Sequence, residues 1–158
     1  REVDINLDIA RRVVWILQRH GYRVDLLAEF DPRLEGYQAD ALVSIHADAC
    51  NIPEASGFKV ARVLQSAIPE EEDRLVECLH HAYAQRTELY YHANSITYDM
   101  REYHAFYEID PQTPAAIIET GFMAADRELL IGRPDLVAQG IAEGIICFLE
   151  GEQRMSGQ

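Results

Sequence analysis

Two short apolar runs break off into an ionisable side chain, and this feature constrains the fold more than any other. Residues 41–45 read Ala-Leu-Val-Ser-Ile and hand over to His46, while residues 115–118 read Ala-Ala-Ile-Ile and hand over to Glu119. Runs of this kind suit strands covered on both faces. In open α/β sheets, sites form beyond the carboxyl ends of the strands, so a histidine and a carboxylate at two such ends are placed to converge. Ending a buried strand in a titratable group costs desolvation energy, which a functional role would justify. The plainer alternative is a hydrogen-bonded histidine and a carboxylate capping a turn.

The rest of the chain alternates helical and extended patterns. Ile5, Ile9, Val13, Ile16 and Leu17 recur at helical spacing over residues 3–20, and Gly21 stands where a helix stops. Residues 23–27 read as a short strand, and 30–37 as a loop punctuated by Asp31, Pro32 and Gly36. After a loop at 51–57, which follows Cys50, residues 58–64 suit another strand. Pro69 and the acidic run to Asp73 open a helix faced by Leu75, Cys78 and Leu79; the acidic run itself reads as solvated. Residues 87–101 read mostly as loop and 103–108 as a strand. A last helix starts near Pro134 with Val137, Ile141, Ile145 and Phe148 inward, and residues 151–158 read as a disordered tail. This alternation predicts one α/β domain over residues 1–150, with a mixed, mainly parallel twisted sheet flanked by helices.

Charge narrows the partners. The 158 residues carry 27 acidic and 14 basic side chains, a formal net charge of −13. Nucleic-acid affinity comes largely from Lys and Arg neutralising phosphates, so a nucleic-acid partner is not expected. The same sign disfavours an anionic membrane surface, and no apolar run is long enough for membrane insertion. Three cysteines without paired spacing predict buried thiols at Cys78 and Cys147 rather than a disulfide framework.

Three motifs carry a resemblance. Ser44-Ile45-His46-Ala47-Asp48-Ala49 is similar to the SIHAN-A motif of the zinc-dependent N-acetylmuramoyl-L-alanine amidases. The run from Pro114 to Phe122 resembles that family's P-x-x-L-x-E-x-G-F motif, and Glu2 with Asn6 and Leu7 resembles its E-x-x-x-N-L segment. They occur in the family's order and cover nearly the whole chain. The resemblance implies a three-layer, phosphorylase/hydrolase-like fold. It implies zinc as cofactor, with Glu2 and His46 as metal ligands and Glu119 as the catalytic carboxylate. It further implies hydrolysis of the amide joining N-acetylmuramic acid to the L-alanine of the stem peptide, with peptidoglycan as partner, in the cell envelope or outside the cell. The family's other zinc histidine lies in a strand and turn upstream of Glu2 and has no counterpart in this sequence. Weak zinc binding and negligible hydrolysis are therefore expected of these residues alone.

His104, on the strand expected at 103–106, and Asn6, four residues from Glu2, are possible substrate contacts. Each has a plainer reading: a hydrogen-bonded histidine, and a solvated or Glu2-orienting amide. His92 beside Tyr90 and Tyr91 suits a glycan-contacting rim or ordinary surface, and Trp15 reads as packing. The chain departs from the family at Asp48, where asparagine is usual, and at Gly57-Phe58-Lys59-Val60, where a G-x-E pattern is common. The connection at 30–40 is also short, and 90–107 matches no family motif. Two rival functions stay open: a zinc peptidase or amidohydrolase with another substrate, and a non-catalytic module binding cell wall or a partner protein.

Overall fold

The computed structural model describes residues 1–48 and 55–156, with the side chains of 152–156 left aside. Three strands form one sheet in the order β1 (Leu42–Asp48), β3 (Ala115–Phe122), β2 (Lys59–Ala61). β1 runs parallel to β3 and β2 antiparallel to it, so the sheet is mixed. Side chains alternate across each strand, and the two faces of β3 feed two separate cores. Ala116 and Ile118 join Ile9, Val13 and Leu17 of α1 (Glu2–Arg19) and Leu75, Leu79 and Tyr83 of α2 (Pro69–Thr87). Val137, Ile141 and Phe148 of α6 (Pro134–Ser156) complete that core. Ala115 and Ile117 face a smaller core with Leu34, Met100 of α3 (Tyr98–Arg101), and Ala105 and Phe106 of α4 (Ala105–Glu108). A short helix, α5 (Arg127–Gly132), follows β3. The result is a sheet between two layers of helix and loop.

α2 and α6 pack tightly because α6 offers glycines at the contact. A Cβ on Gly144 would stand 2.8 Å from the Cα of Leu79, and one on Gly140 would stand 2.9 Å from Cδ1 of Tyr83. The same contact brings Cys78 and Cys147 together as a disulfide with a Cα–Cα distance of 5.9 Å. This corrects the expectation of two buried thiols. The pairing follows from helix packing across a separation of 69 residues, which sequence spacing does not reveal. Cys50, which the sequence places beside a loop, falls outside the described residues.

Other expectations also give way to tertiary context. Residues 23–27 have no sheet partner among the described residues. Residues 103–108 contain α4, over Ala105–Glu108, rather than a strand, and 87–101 contain α3 and a 3-10 turn at Ala93–Ser95. The last helix carries on through Gly151 to Ser156, where a disordered tail was expected. Trp15 is 60% exposed, with the Arg19 guanidinium 4.8 Å from its ring centre, rather than packed inside. Glu72, read as part of a solvated run, is buried at 4% exposure. Its carboxylate accepts from the Ala115 backbone N–H at 2.9 Å and from the Ser66 hydroxyl, anchoring the start of β3.

In the chain-entropy view, closing a 69-residue loop stabilises the fold by roughly 4 kcal/mol. Reduction of Cys78–Cys147 with dithiothreitol is therefore expected to lower the Tm by about 10 °C. An unchanged melting curve, with both thiols titrated as free, would show that the bridge contributes nothing.

Candidate active site

The register of the sheet builds the site. Across β1, β3 and β2, His46, Glu119 and Lys59 lie side by side, since Glu119 pairs with His46 on one side and with Lys59 on the other. All three belong to the face that carries Ala115, Ile117 and Ala61, toward the smaller core. A register shift follows at once: β1 advances from His46 to Asp48 while β3 advances from Glu119 to Phe122. Such bulges re-aim side chains beside functional sites. Here Thr120 donates through Oγ1 to the His46 carbonyl at 3.0 Å, and the Met123 N–H reaches the Asp48 carbonyl at 2.8 Å.

His46 is half-buried, and burial holds its imidazole below the usual histidine range, with nearby Glu29 and Glu2 opposing that shift. It is therefore largely neutral at pH 7, the form that can accept a proton or bind a metal. Its Nε2 lies 2.9 Å from Ser44 Oγ, and the Tyr103 ring meets it edge-on at 5.1 Å.

Glu119 is pushed up to about 7, chiefly by burial, then by the charges of Asp48 and Glu2, against the lowering pull of Lys59. Its Oε2 is buried with no hydrogen-bond partner. A carboxyl group that exchanges its proton near pH 7 and has a free oxygen can serve as general acid or base. Glu2, at the start of α1, acts electrostatically on both His46 and Glu119, and the sheet register sets those two side by side. Asn6 lies one turn further along α1, with its Oδ1 buried and unpartnered. His104 immediately precedes α4 instead of lying on a strand, and its ring is linked to that of His46 through Tyr103.

Sequence reasoning gave no role to several residues that shape this site. Lys59 is 3% exposed, a rare position for an ammonium group. Its Nζ donates to Asp48 Oδ2 at 2.8 Å, to the Ser95 carbonyl at 2.7 Å and to Ser95 Oγ at 3.0 Å, which uses all three protons. The departure at Gly57-Phe58-Lys59 was the only signal for it. Asp126, 5% exposed, accepts from the N–H groups of Gly57 at 3.0 Å and Phe122 at 2.8 Å and from the Ser56 hydroxyl. A Cβ on Gly121 would stand 3.0 Å from that of Asp126, which accounts for glycine two residues after Glu119.

Among the described residues, no group of three or more His, Cys, Asp and Glu side chains is gathered to hold a metal ion. Glu2 and His46 match zinc in donor chemistry. They are two, however, and catalytic zinc centres use three protein ligands.

An α/β domain with a histidine and a proton-exchanging carboxyl group paired on adjacent strands can support general acid–base chemistry. Comparison with known proteins makes the class specific. The sequence profile of the Amidase_3 family, N-acetylmuramoyl-L-alanine amidase, matches residues 1–147, and the chain belongs to that family. Its fold resembles the catalytic domain of the amidase CwlV from Bacillus (Paenibacillus) polymyxa var. colistinus, with a TM-score of 0.69 and 22% identity over 95% of this chain and 86% of that one. It also resembles AmiC2 of Nostoc punctiforme, with a TM-score of 0.67 and 26% identity over 94% and 84%. For Ami1 of Mycobacterium smegmatis the TM-score is 0.69, with 21% identity over 96% and 78%. None of the curated proteins matches in sequence. No helix among the described residues is long and apolar enough to cross a membrane.

Two predictions follow from the site. Because Glu119 is raised in the folded state, its contribution to stability is complete below about 4.5 and is lost as the pH rises through about 7. Metal-free protein should lose more stability between pH 5 and pH 8 than Glu119→Gln does; equal losses in chemical denaturation would place the raised carboxyl elsewhere. Lys59→Met leaves Asp48 unpaired and should cost on the order of 2 kcal/mol, less than for a fully buried pair because Asp48 keeps some solvent contact. A melting temperature equal to that of the parent would show the ion pair to be neutral for stability.

Proposed function

We propose that this domain hydrolyses the amide between N-acetylmuramic acid and the L-alanine of the stem peptide in peptidoglycan. Family membership supports the amidase chemistry. The observation that carries the reading is the pairing of His46 with Glu119, whose free Oε2 and raised proton affinity suit proton transfer. In this reading Glu119 is the catalytic carboxyl group. It takes a proton from the attacking water and returns it to the departing alanine nitrogen. Glu2 and His46 are two of the ligands to a zinc ion, and a further donor is needed to complete a catalytic centre. Zinc, when bound, supplies Lewis-acid polarisation of the scissile carbonyl. Asn6 and His104 contact substrate, the first through its unpartnered Oδ1 and the second through its unpartnered Nε2. The Lys59–Asp48 pair does not touch substrate through its ammonium, which is already saturated; it fixes the end of β1 beside Glu119.

The work belongs in the cell envelope or outside the cell, where peptidoglycan lies. The Cys78–Cys147 bridge favours an oxidising compartment of that kind. The pairing of His46 with a Glu119 whose Oε2 has no partner disfavours a non-catalytic module, which has no physical need of them.

Muropeptide analysis of sacculi digested by the native protein tests the reading. Free stem peptides beginning with L-alanine are expected, with the glycan strands left intact. Glu119→Gln should lower turnover by at least about 100-fold, the usual scale of a positioned acid–base group. Cleavage inside the peptide instead would favour a peptidase, and undiminished turnover in the variant would remove Glu119 from its role.

A further inference from the structure

Four rings run outward from the proposed active site in unbroken contact. His46 meets Tyr103 at 5.1 Å, Tyr103 meets His104 at 4.5 Å, and His104 stacks on Phe30 at 4.7 Å with an interplanar angle of 17°. The ladder ends in solvent, since Phe30 is 76% exposed. A phenyl ring stacked on one face and left open on the other is not explained by core packing. Its free face carries the negative lobe of the ring quadrupole, which attracts polarised C–H groups.

The polar groups along the ladder have one character. His104 Nδ1 lies 2.6 Å from Glu108 Oε2, so the ring donates there. Its Nε2 is buried and has no hydrogen-bond partner, and Glu29 Oε1 stands 4.0 Å from it. Glu29 also accepts from the Tyr103 hydroxyl at 3.4 Å. The partly exposed carboxylates of Glu29 and Glu108 and an aromatic face therefore suit a ligand rich in hydroxyl and amide N–H donors. The carboxylates of Glu29 and Glu108 repel an acidic group, and the stem peptide carries free carboxylates. The muramoyl sugar, its lactyl acid tied up in the amide, is uncharged.

We propose that Phe30, His104 and Tyr103 form a sugar subsite that seats an N-acetylated pyranose on the glycan side of the scissile amide. The inference rests on the amidase reading and adds a direction to it. The glycan lies on the β1 side of the site, along the rings that lead away from His46.

Ligand binding observed by NMR tests this without requiring turnover. Triacetylchitotriose, a neutral N-acetylated glycan, should shift the ring resonances of Phe30, Tyr103 and His104. The sugar-free peptide L-Ala-γ-D-Glu-L-Lys should leave them in place. Phe30→Ala should weaken glycan binding roughly three- to tenfold, the range of a single ring contact, and Phe30→Tyr should restore it. Rings unmoved by the glycan, or moved by the peptide through its amine, would overturn the subsite. If native protein still releases stem peptides from sacculi in that case, only the subsite falls. If the sacculi also stay intact, the amidase reading falls with it.

Discussion

The parallel pairing of β1 with β3 is the constraint on which the rest depends. It places His46 opposite Glu119, and the alternation of side chains then sends both to one face of the sheet. The pairing is held by burial on the other face, where Ala116 and Ile118 of β3 sit against three helices. A slip of one residue would turn Glu119 into that apolar core. The pairing of His46 with Glu119 and core formation are thus the same event in this fold.

Buried polar groups serve as anchors around that pairing. Glu72 holds the first residue of β3, Asp126 holds its end, and Lys59 ties β2 to the end of β1 and to Ser95. Each is almost fully buried and each has its hydrogen bonds met, as burial of such groups requires. Glu119 differs from them. It is the carboxyl group near these anchors whose Oε2 is left without a partner, and that contrast marks it as the group free to exchange a proton.

The acidic excess of the chain has a local expression. Glu2, Glu29, Asp48 and Glu119 act on one another or on His46. Lys59 offsets part of this charge without facing substrate. Acidic groups beside exposed aromatic rings suit a neutral, donor-rich polymer better than a polyanion, which is the basis of the proposed sugar subsite.

Much of this was legible in the residue order. The two apolar runs, their terminal His46 and Glu119, the helical stripe of Ile9, Val13 and Leu17, and the three motifs are local patterns, because strand and helix periodicities are written in neighbouring residues. What only the tertiary structure decided depends on residues far apart in the chain. The Cys78–Cys147 bridge, the burial of Lys59 against Asp48 and Ser95, the anchoring carboxylate of Glu72 and the ring ladder from His46 to Phe30 have no periodicity to announce them. Residues 103–108 show the same limit: within an aromatic stretch that reads as strand, Ala105–Glu108 become α4 because Ala105 and Phe106 fill the smaller core. Sequence fixes what each segment can become, and packing against distant segments selects among those options, since burial energy is shared across the whole core.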